Sequence, residues 1–273
     1  MKRAIHALLG AVLLTGLSSC RPSAEIPKSP AGPTKESLYA EGHQLYLTQQ
    51  WDAASATLNK VLAMDTAYLP ALKDVASLWY ERGSAAPESS LARRESLRKA
   101  FGYFRQLEAA GLQESEVYER LGELSVTLND SRSFLKYARK HAERFPYERQ
   151  FYNLGLAHFE AEDYASVVRT QKEALEMFPR SNYMGGFYRQ MGRAYMKMGR
   201  DQTAERTLTE GVHAVERRLS EIRSTGAGSD AVRRLTDDRV SMLLLLKKLH
   251  IIYNAQDKLQ DVERQLKNAE GGK

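Results

Sequence analysis

Tyr118-Glu119-Arg120-Leu121-Gly122 and Phe151-Tyr152-Asn153-Leu154-Gly155 are two copies of one pattern, an aromatic residue with leucine at i+3 and glycine at i+4. A third copy begins Tyr188-Arg189-Gln190-Met191-Gly192. The glycines lie 33 and then 37 residues apart, and the prolines that close the first two copies, Pro146 and Pro179, lie 33 apart. Tyr118, Leu121, Leu124 and Ser125 keep the spacing of one helix face. Asn129-Asp130-Ser131 is turn and N-cap chemistry. Beyond it Phe134, Ala138 and His141 carry a second core-facing stripe up to Pro146, which cannot continue a helix. A helical hairpin cannot bury its apolar face alone, so a series of them at fixed spacing predicts stacking.

This period and order of residue types resemble the tetratricopeptide repeat, a helix–turn–helix unit of about 34 residues. The resemblance implies an all-α solenoid of five to six helical hairpins. It places Gly122 and Gly155 at the small position, where two helices cross closely. The fourth unit then carries Leu154, Gly155, His158, Tyr164, Val167, Ala174 and Pro179, and the fifth Met191, Gly192, Tyr195, Gly199, Ala204 and Leu208. Gly42, Leu45, Ala54, Leu58 and Val61 fit the first unit; Ala76, Trp79, Ala100, Phe104 and Leu107 fit the second. Residues 83–91, Gly-Ser-Ala-Ala-Pro-Glu-Ser-Ser-Leu, read as a solvent loop inserted in the second unit. A divergent sixth pair is expected from about Asp230 to Ala269, entered through Thr225-Gly-Ala-Gly-Ser229. Its run Met242 to Leu246, Leu249 and Ile251 to Tyr253 is too short and too charged for a bilayer span. It is read as a buried helix sealing the stack, with a self-association seam as the alternative.

The N-terminus carries a second signal. Lys2-Arg3 precedes an apolar run from Ala7 to Leu17, then small residues and Cys20. That is the plan of a secretory signal peptide. Leu17-Ser18-Ser19-Cys20 resembles the bacterial lipobox, which implies acylation of Cys20, by palmitate among other chains, and a lipid anchor; Cys20 is the only cysteine, so no intramolecular disulfide is possible. Residues 21–33 are proline-rich and without helical rhythm, so they read as a tether. Arg21, rather than aspartate, follows the cysteine, which by the same resemblance favours the outer membrane, facing the periplasm. The expected organisation is therefore residues 1–19 signal peptide, 20–34 lipidated cysteine and linker, 35–224 five repeat units, and 225–273 the divergent pair and tail.

Chemistry is not written into the chain. Lys plus Arg exceeds Asp plus Glu by six, 40 against 34. The charge is scattered among acids at helical spacing, so a solvated surface is expected and a nucleic-acid stripe is not. The six histidines form no ligand spacing, no HExxH or CxxC occurs, and Gly185-Gly186 lacks the rest of a phosphate loop. Neither catalysis, a metal nor a cofactor is expected. The resemblance instead implies a groove lined by the first helix of each pair. Carried residue by residue onto this chain, it offers Tyr39, His43, Tyr46 and Leu47; Lys73, Ser77 and Tyr80; Glu119, Glu123 and Val126; Tyr152, Leu156 and Phe159; and Arg189, Arg193 and Met196. Tyr39, His43, Tyr80, Tyr152, Phe159, Arg189 and Arg193 are the expected partner-binding residues, because aromatic and arginine side chains dominate binding energies. The carboxylate-clamp pattern of chaperone-binding members is absent: the two key positions hold Tyr39 and His43 in the first unit, and Tyr152 and Leu156 in the fourth. The expected role is a non-catalytic, membrane-anchored scaffold or assembly factor that binds an envelope protein or peptide. The alternative is a transporter-associated carrier of a small hydrophobic ligand.

Overall fold

The computed structural model describes residues 32–225 and 229–270. The expected signal peptide, Cys20, most of the expected tether, Gly226 to Gly228 and Gly271 to Lys273 lie outside the described residues. The helical unit begins at Lys35. Within it, and among the described residues, stand twelve helices and no strand. They pair as α1 (Lys35–Leu47) with α2 (Trp51–Met64), α3 (Leu69–Ala85) with α4 (Leu91–Ala109), and α5 (Ser115–Thr127) with α6 (Ser131–Arg144). The series continues as α7 (Glu148–Glu160) with α8 (Tyr164–Met177), α9 (Met184–Lys197) with α10 (Asp201–Thr225), and α11 (Ser229–Ile252) with α12 (Gln256–Glu270). Each hairpin packs on the next, giving a solenoid of six.

One turn is used five times. Gln49, Asn129, Glu162, Gly199 and Asn254 each take the left-handed conformation, with φ between 50° and 69°. The next residue's N–H then donates back to the carbonyl five residues earlier. Gln50 reaches Leu45, Asp130 reaches Ser125, Asp163 reaches His158, Arg200 reaches Tyr195 and Ala255 reaches His250, all at 2.8–2.9 Å. This bond satisfies a carbonyl that the ending helix would leave unpaired. The following helix starts at once, and Asp130 and Asp163 cap it by accepting from the Ser133 and Ser166 amides at 3.0 and 3.1 Å.

The second hairpin differs, and it corrects the reading of residues 83–91 as a loop. Helix α3 continues through Gly83 to Ala85. Gly83 is buried, and a Cβ there would lie 2.5 Å from Leu97 Cδ2. It is the close-crossing residue of α3 on α4, and the loop shrinks to residues 86–90. Ser90 caps α4 by accepting from the Arg93 amide at 3.1 Å.

A second correction falls on Gly122. A Cβ at Gly42 or Gly192 would press on Leu58 or Leu208, and one at Gly155 on Gln171 and Gln190; a Cβ at Gly122 meets nothing within 4 Å. The reason lies sixteen residues on. Gly42, Gly155 and Gly192 face Leu58, Gln171 and Leu208, whereas Gly122 faces Ala138. Two small residues opposite each other leave a hole.

The apolar core is large at both ends and thin between. Leu58, Leu72, Leu97, Leu107, Leu121 and Leu124 fill the first three hairpins. Leu208, Val215, Leu235, Met242 and Leu243 fill the last two. In the middle the clusters are smaller, with Phe151, Leu154, Val167 and Phe187 buried among small and polar residues: Ala138, Ala142, Ala157 and Ala174, with His141, His158, Gln171 and Gln190. Gln171 Nε2 donates to Gln190 Oε1 at 2.8 Å and to the Phe151 carbonyl at 3.2 Å, while Gln190 Nε2 donates to the Tyr152 carbonyl at 3.2 Å. These amides join α7, α8 and α9 in the space that Gly155 leaves. The run at the end of α11 is split by helical periodicity, correcting the expectation that it is buried as a whole. Met242, Leu243, Leu246 and Leu249 are buried, while Leu244, Ile251, Ile252 and Tyr253 are exposed.

The two glycines should therefore behave oppositely. Gly155→Ala, whose methyl displaces the Gln171–Gln190 amides, should cost about 1–3 kcal/mol. Gly122→Ala enters open space and improves helix propensity, so it should leave stability unchanged or raise it by up to about 1 kcal/mol. Thermal melts of both variants check this; equal losses would show that the hole at Gly122 does not exist.

Candidate functional site

The residues expected to meet a partner lie on the first helices, and the structure ties each of them to a neighbour within the chain. His43 Nδ1 lies 2.7 Å from Asp74 of α3, and Tyr39 stacks edge-on against Tyr68 at 5.5 Å. Tyr46 donates to Glu81 at 2.7 Å. The Tyr80 hydroxyl donates to Glu123 of α5 at 2.6 Å and accepts from Arg120 at 2.9 Å. Arg189 donates to the Tyr152 hydroxyl at 3.0 Å. Arg193 lies over the Phe159 ring, 4.4 Å from its centroid. These side chains bridge successive hairpins from within the chain.

Arg189 is committed further. It pairs at 3.1 Å with Asp238, a buried residue of α11. Gly185 and Gly186 in α9 make room for this. A Cβ on either would fall 2.6 Å from Asp238 Cβ or from the Tyr152 ring, so these glycines are a packing feature. Burial raises the Asp238 carboxyl above its ordinary value, against the pull of Arg189 and Arg234. A buried carboxylate of this kind is held by its arginine, since an unpaired charge there would be costly.

What the sequence did not display is where the first helices part. α1 and α3, α7 and α9, and α9 and α11 approach within 8 Å between Cα atoms, whereas α5 and its neighbours α3 and α7 do not. Tyr80, Arg120 and Glu123 fill the first separation. The second is crossed by Arg149 and Glu119 at 2.8 Å, and a cavity of about 300 Å³ lies within it. Gly122 and Ala138 form part of its wall, with Val126, Phe134 and Leu156 as apolar faces and Glu119, Glu123, Arg149, Gln150 and Asn153 as polar ones. A second cavity of about 310 Å³ shares Val126, Phe134 and Leu156 and continues toward Ser131 and Glu160. Glu123, Val126 and Thr127 are exposed, so the space opens to solvent. Phe134, expected in the core, is only half-buried and lines both cavities. The sequence signal for this site is the pairing of Gly122 with Ala138, legible only once the sixteen-residue offset is known.

His141 lines the same cavity and is buried, with Nε2 2.8 Å from Ser115 Oγ and 3.4 Å from Gln150 Nε2. Burial holds its imidazole below the ordinary value; Arg149 adds to this and Glu119 opposes it. His158, buried between helices, is lowered by burial too, with Arg139 and Arg169 adding and Asp163 opposing. Both are neutral in the folded chain and protonate more readily once unfolded. Their contribution to stability is present above an unfolded histidine pKa of about 6.5 and is lost as pH falls below it toward the folded values. Melting temperature should thus drop between about pH 7.5 and about pH 5.5, and a His141→Gln/His158→Gln variant should lose part of that slope. A slope untouched by the double substitution would place the proton uptake elsewhere.

Among the described residues no group of three or more His, Cys, Asp or Glu is placed to hold a metal ion. No helix there is long and apolar enough to cross a membrane. No known sequence family and no curated protein matches the chain. Solved structures do. The crystal structure of MamA protein superposes with a TM-score of 0.50 at 15% identity, covering 70% of this chain and 96% of that one. YrrB, described as a TPR protein with an unusual peptide-binding site, superposes with a TM-score of 0.50 at 13% identity, covering 71% and 93%. The fold is the tetratricopeptide type.

Proposed function

We propose that this chain is a non-catalytic scaffold or assembly factor, anchored through Cys20 in a bacterial envelope, that holds a segment of an envelope protein on its first-helix face. The observation that carries the binding half is the separation of α5 from α7, with two joined cavities between them. Elsewhere on that face the aromatic and arginine side chains are engaged within the chain, so the opening is where a partner finds uncommitted apolar surface. The peptide-binding site named for YrrB supports the reading that this fold carries such a site. A carrier of a small hydrophobic ligand would need enclosed apolar space. The exposed Glu123 and Thr127 at the cavity's edge suit an extended or helical segment passing over it. The membrane half rests on Leu17-Ser18-Ser19-Cys20 and the proline-rich tether.

A photo-crosslinking residue at Val126 tests the first half in native envelopes. It should give discrete adducts, whereas the same residue at the exposed Lys172 of α8 should give few. Equal labelling from both positions would move the partner off this face. Cys20→Ser tests the second half: it should release the protein from the membrane fraction or stall its processing, since two or more acyl chains are what hold a protein firmly. Normal processing and retention of that variant would remove the anchor.

A further inference from the structure

We infer that the second helices of the second and third hairpins, α4 and α6, form a docking surface for an anionic phospholipid bilayer. The positive charge of the chain is not spread evenly, as its sequence suggests. Helices α4 and α6 together carry ten Lys and Arg residues against three Glu. That excess of seven is larger than the net charge of the whole chain, +6. The first helices beside them, α5 and α7, carry two Arg against five Glu. Arg94, Arg98 and Arg105 recur at helical spacing along α4, and Lys136, Arg139 and Arg144 follow on α6. All six are exposed, and none is in an ion pair among the described residues. Of the three acids, Glu108 is taken by Lys140, which leaves Glu95 and Glu143. Cations held so close together without partners call for an anion from outside the chain.

Shape selects which anion. The two helices lie side by side, with the Phe101 and Tyr137 rings packed edge-on between them at 6.1 Å. Tyr137 is only 1% exposed, so the seam is filled. A single-stranded polyanion is held in a basic groove, whereas a bilayer offers its phosphates in two dimensions and needs none. Gly102 marks the point of closest approach. It stands inside α4 about one turn from both Arg98 and Arg105, and a Cβ there would meet nothing within 4 Å. Packing therefore does not explain a residue that weakens a helix interior, but close approach of a ligand to the backbone does. A lipid phosphate fits such a notch between two guanidinium groups, whose paired N–H donors match its oxygens. Leu91, exposed on the same stripe, adds an apolar side chain for the headgroup boundary. The choice of bilayer also rests on the anchored reading proposed above, since a chain held at a membrane meets phospholipid before any other polyanion.

The test places a photo-crosslinking residue at the exposed Gln106, next to Arg105, in the full chain. The chain is mixed with vesicles of phosphatidylcholine, with or without phosphatidylglycerol. Phosphatidylglycerol should raise the yield of lipid adducts about tenfold or more. Salt at about 1 M, where charges are screened within about 3 Å, should remove that gain. The same residue at Val126 should give few lipid adducts with either vesicle. Arg98→Glu/Arg105→Glu should abolish the gain while melting normally. Gly102→Glu should reduce it more than Ala109→Glu, which puts the same charge at another exposed position of α4, because only the first blocks the notch. Equal yields from the two vesicle types, or from Gln106 and Val126, would overturn the docking surface. Equal losses from Gly102→Glu and Ala109→Glu would overturn the notch. A short RNA that binds the chain more tightly than the phosphatidylglycerol vesicles do would reassign the surface to nucleic acid. Saturable binding of inorganic phosphate at Gly102 without vesicles would reassign the notch to a free anion. No gain, with Val126 still capturing a protein and Cys20→Ser still released, would defeat the docking surface and leave the scaffold reading standing. A gain that stands while Val126 captures nothing and Cys20→Ser is retained would do the reverse.

Discussion

The stack depends on how the fourth hairpin is joined to the fifth. At that point two sizeable apolar cores are connected through buried amides, with Gln171 and Gln190 bonded to each other and to the carbonyls of Phe151 and Tyr152. The arrangement exists because Gly155 has no side chain; a methyl group there would occupy the place of Gln171 Nε2. Phe151, Ala174 and Phe187 form a small apolar cluster at this joint. The directional bonds beside it fix geometry more strictly than apolar contacts do in a dry interior. Each hairpin touches its neighbours along the chain, so a rigid link in the middle sets how the two halves face each other.

That link also explains why the opening sits one hairpin earlier. The third hairpin's crossing is loose, since Gly122 faces Ala138. Solenoid stability is roughly a sum of terms within and between neighbouring hairpins. A hole in one unit is therefore tolerated if its neighbours are tight. Leu121, Leu124 and Tyr137 anchor the third hairpin to the first core, and the amide link secures the hairpin after it. The structure can then leave apolar surface uncovered at Val126, Phe134 and Leu156. Along the rest of the first-helix face, hydroxyl–carboxylate bonds and cation–π contacts consume the groups that a partner might have used.

Much of the fold was legible in the sequence because it follows from spacing. The glycine period, the closing prolines and the turn residues each reflect a local demand, and Asn129-Asp130 foretells both a left-handed turn and a helix cap. The errors came where two positions far apart decide the outcome. Gly83 read as loop because serine, proline and glycine follow each other there. Only Leu97 lying on it shows why a small residue was needed. Gly122 read as a close crossing because its neighbours in the pattern are one, and the missing bulk at Ala138 lay sixteen residues on. The same limit applies to the site. Tyr152, Arg189 and Arg193 stand on first helices, but the bonds of Arg189 to Tyr152 and Asp238 and the seat of Arg193 on Phe159 are tertiary. The opening itself carried no signal, since the separation of α5 from α7 exists only in the folded chain.

A face built in this way has consequences for strength as well as specificity. A single small opening gives modest affinity, because ordering a flexible partner segment offsets much of the contact energy. The proposed anchor changes that balance. Holding the chain by a short tether at the same membrane as its partner turns the encounter into one at high effective concentration. Weak, easily released contacts then suffice, and a scaffold that must let go of what it helps to assemble is served by them. Residues 21–33, read from their proline-rich sequence as a tether, are the segment that would set its reach. On this view the hole at Gly122 and the proposed lipid at Cys20 have complementary roles. The opening chooses the partner, and the proposed anchor supplies the concentration at which a weak choice is enough.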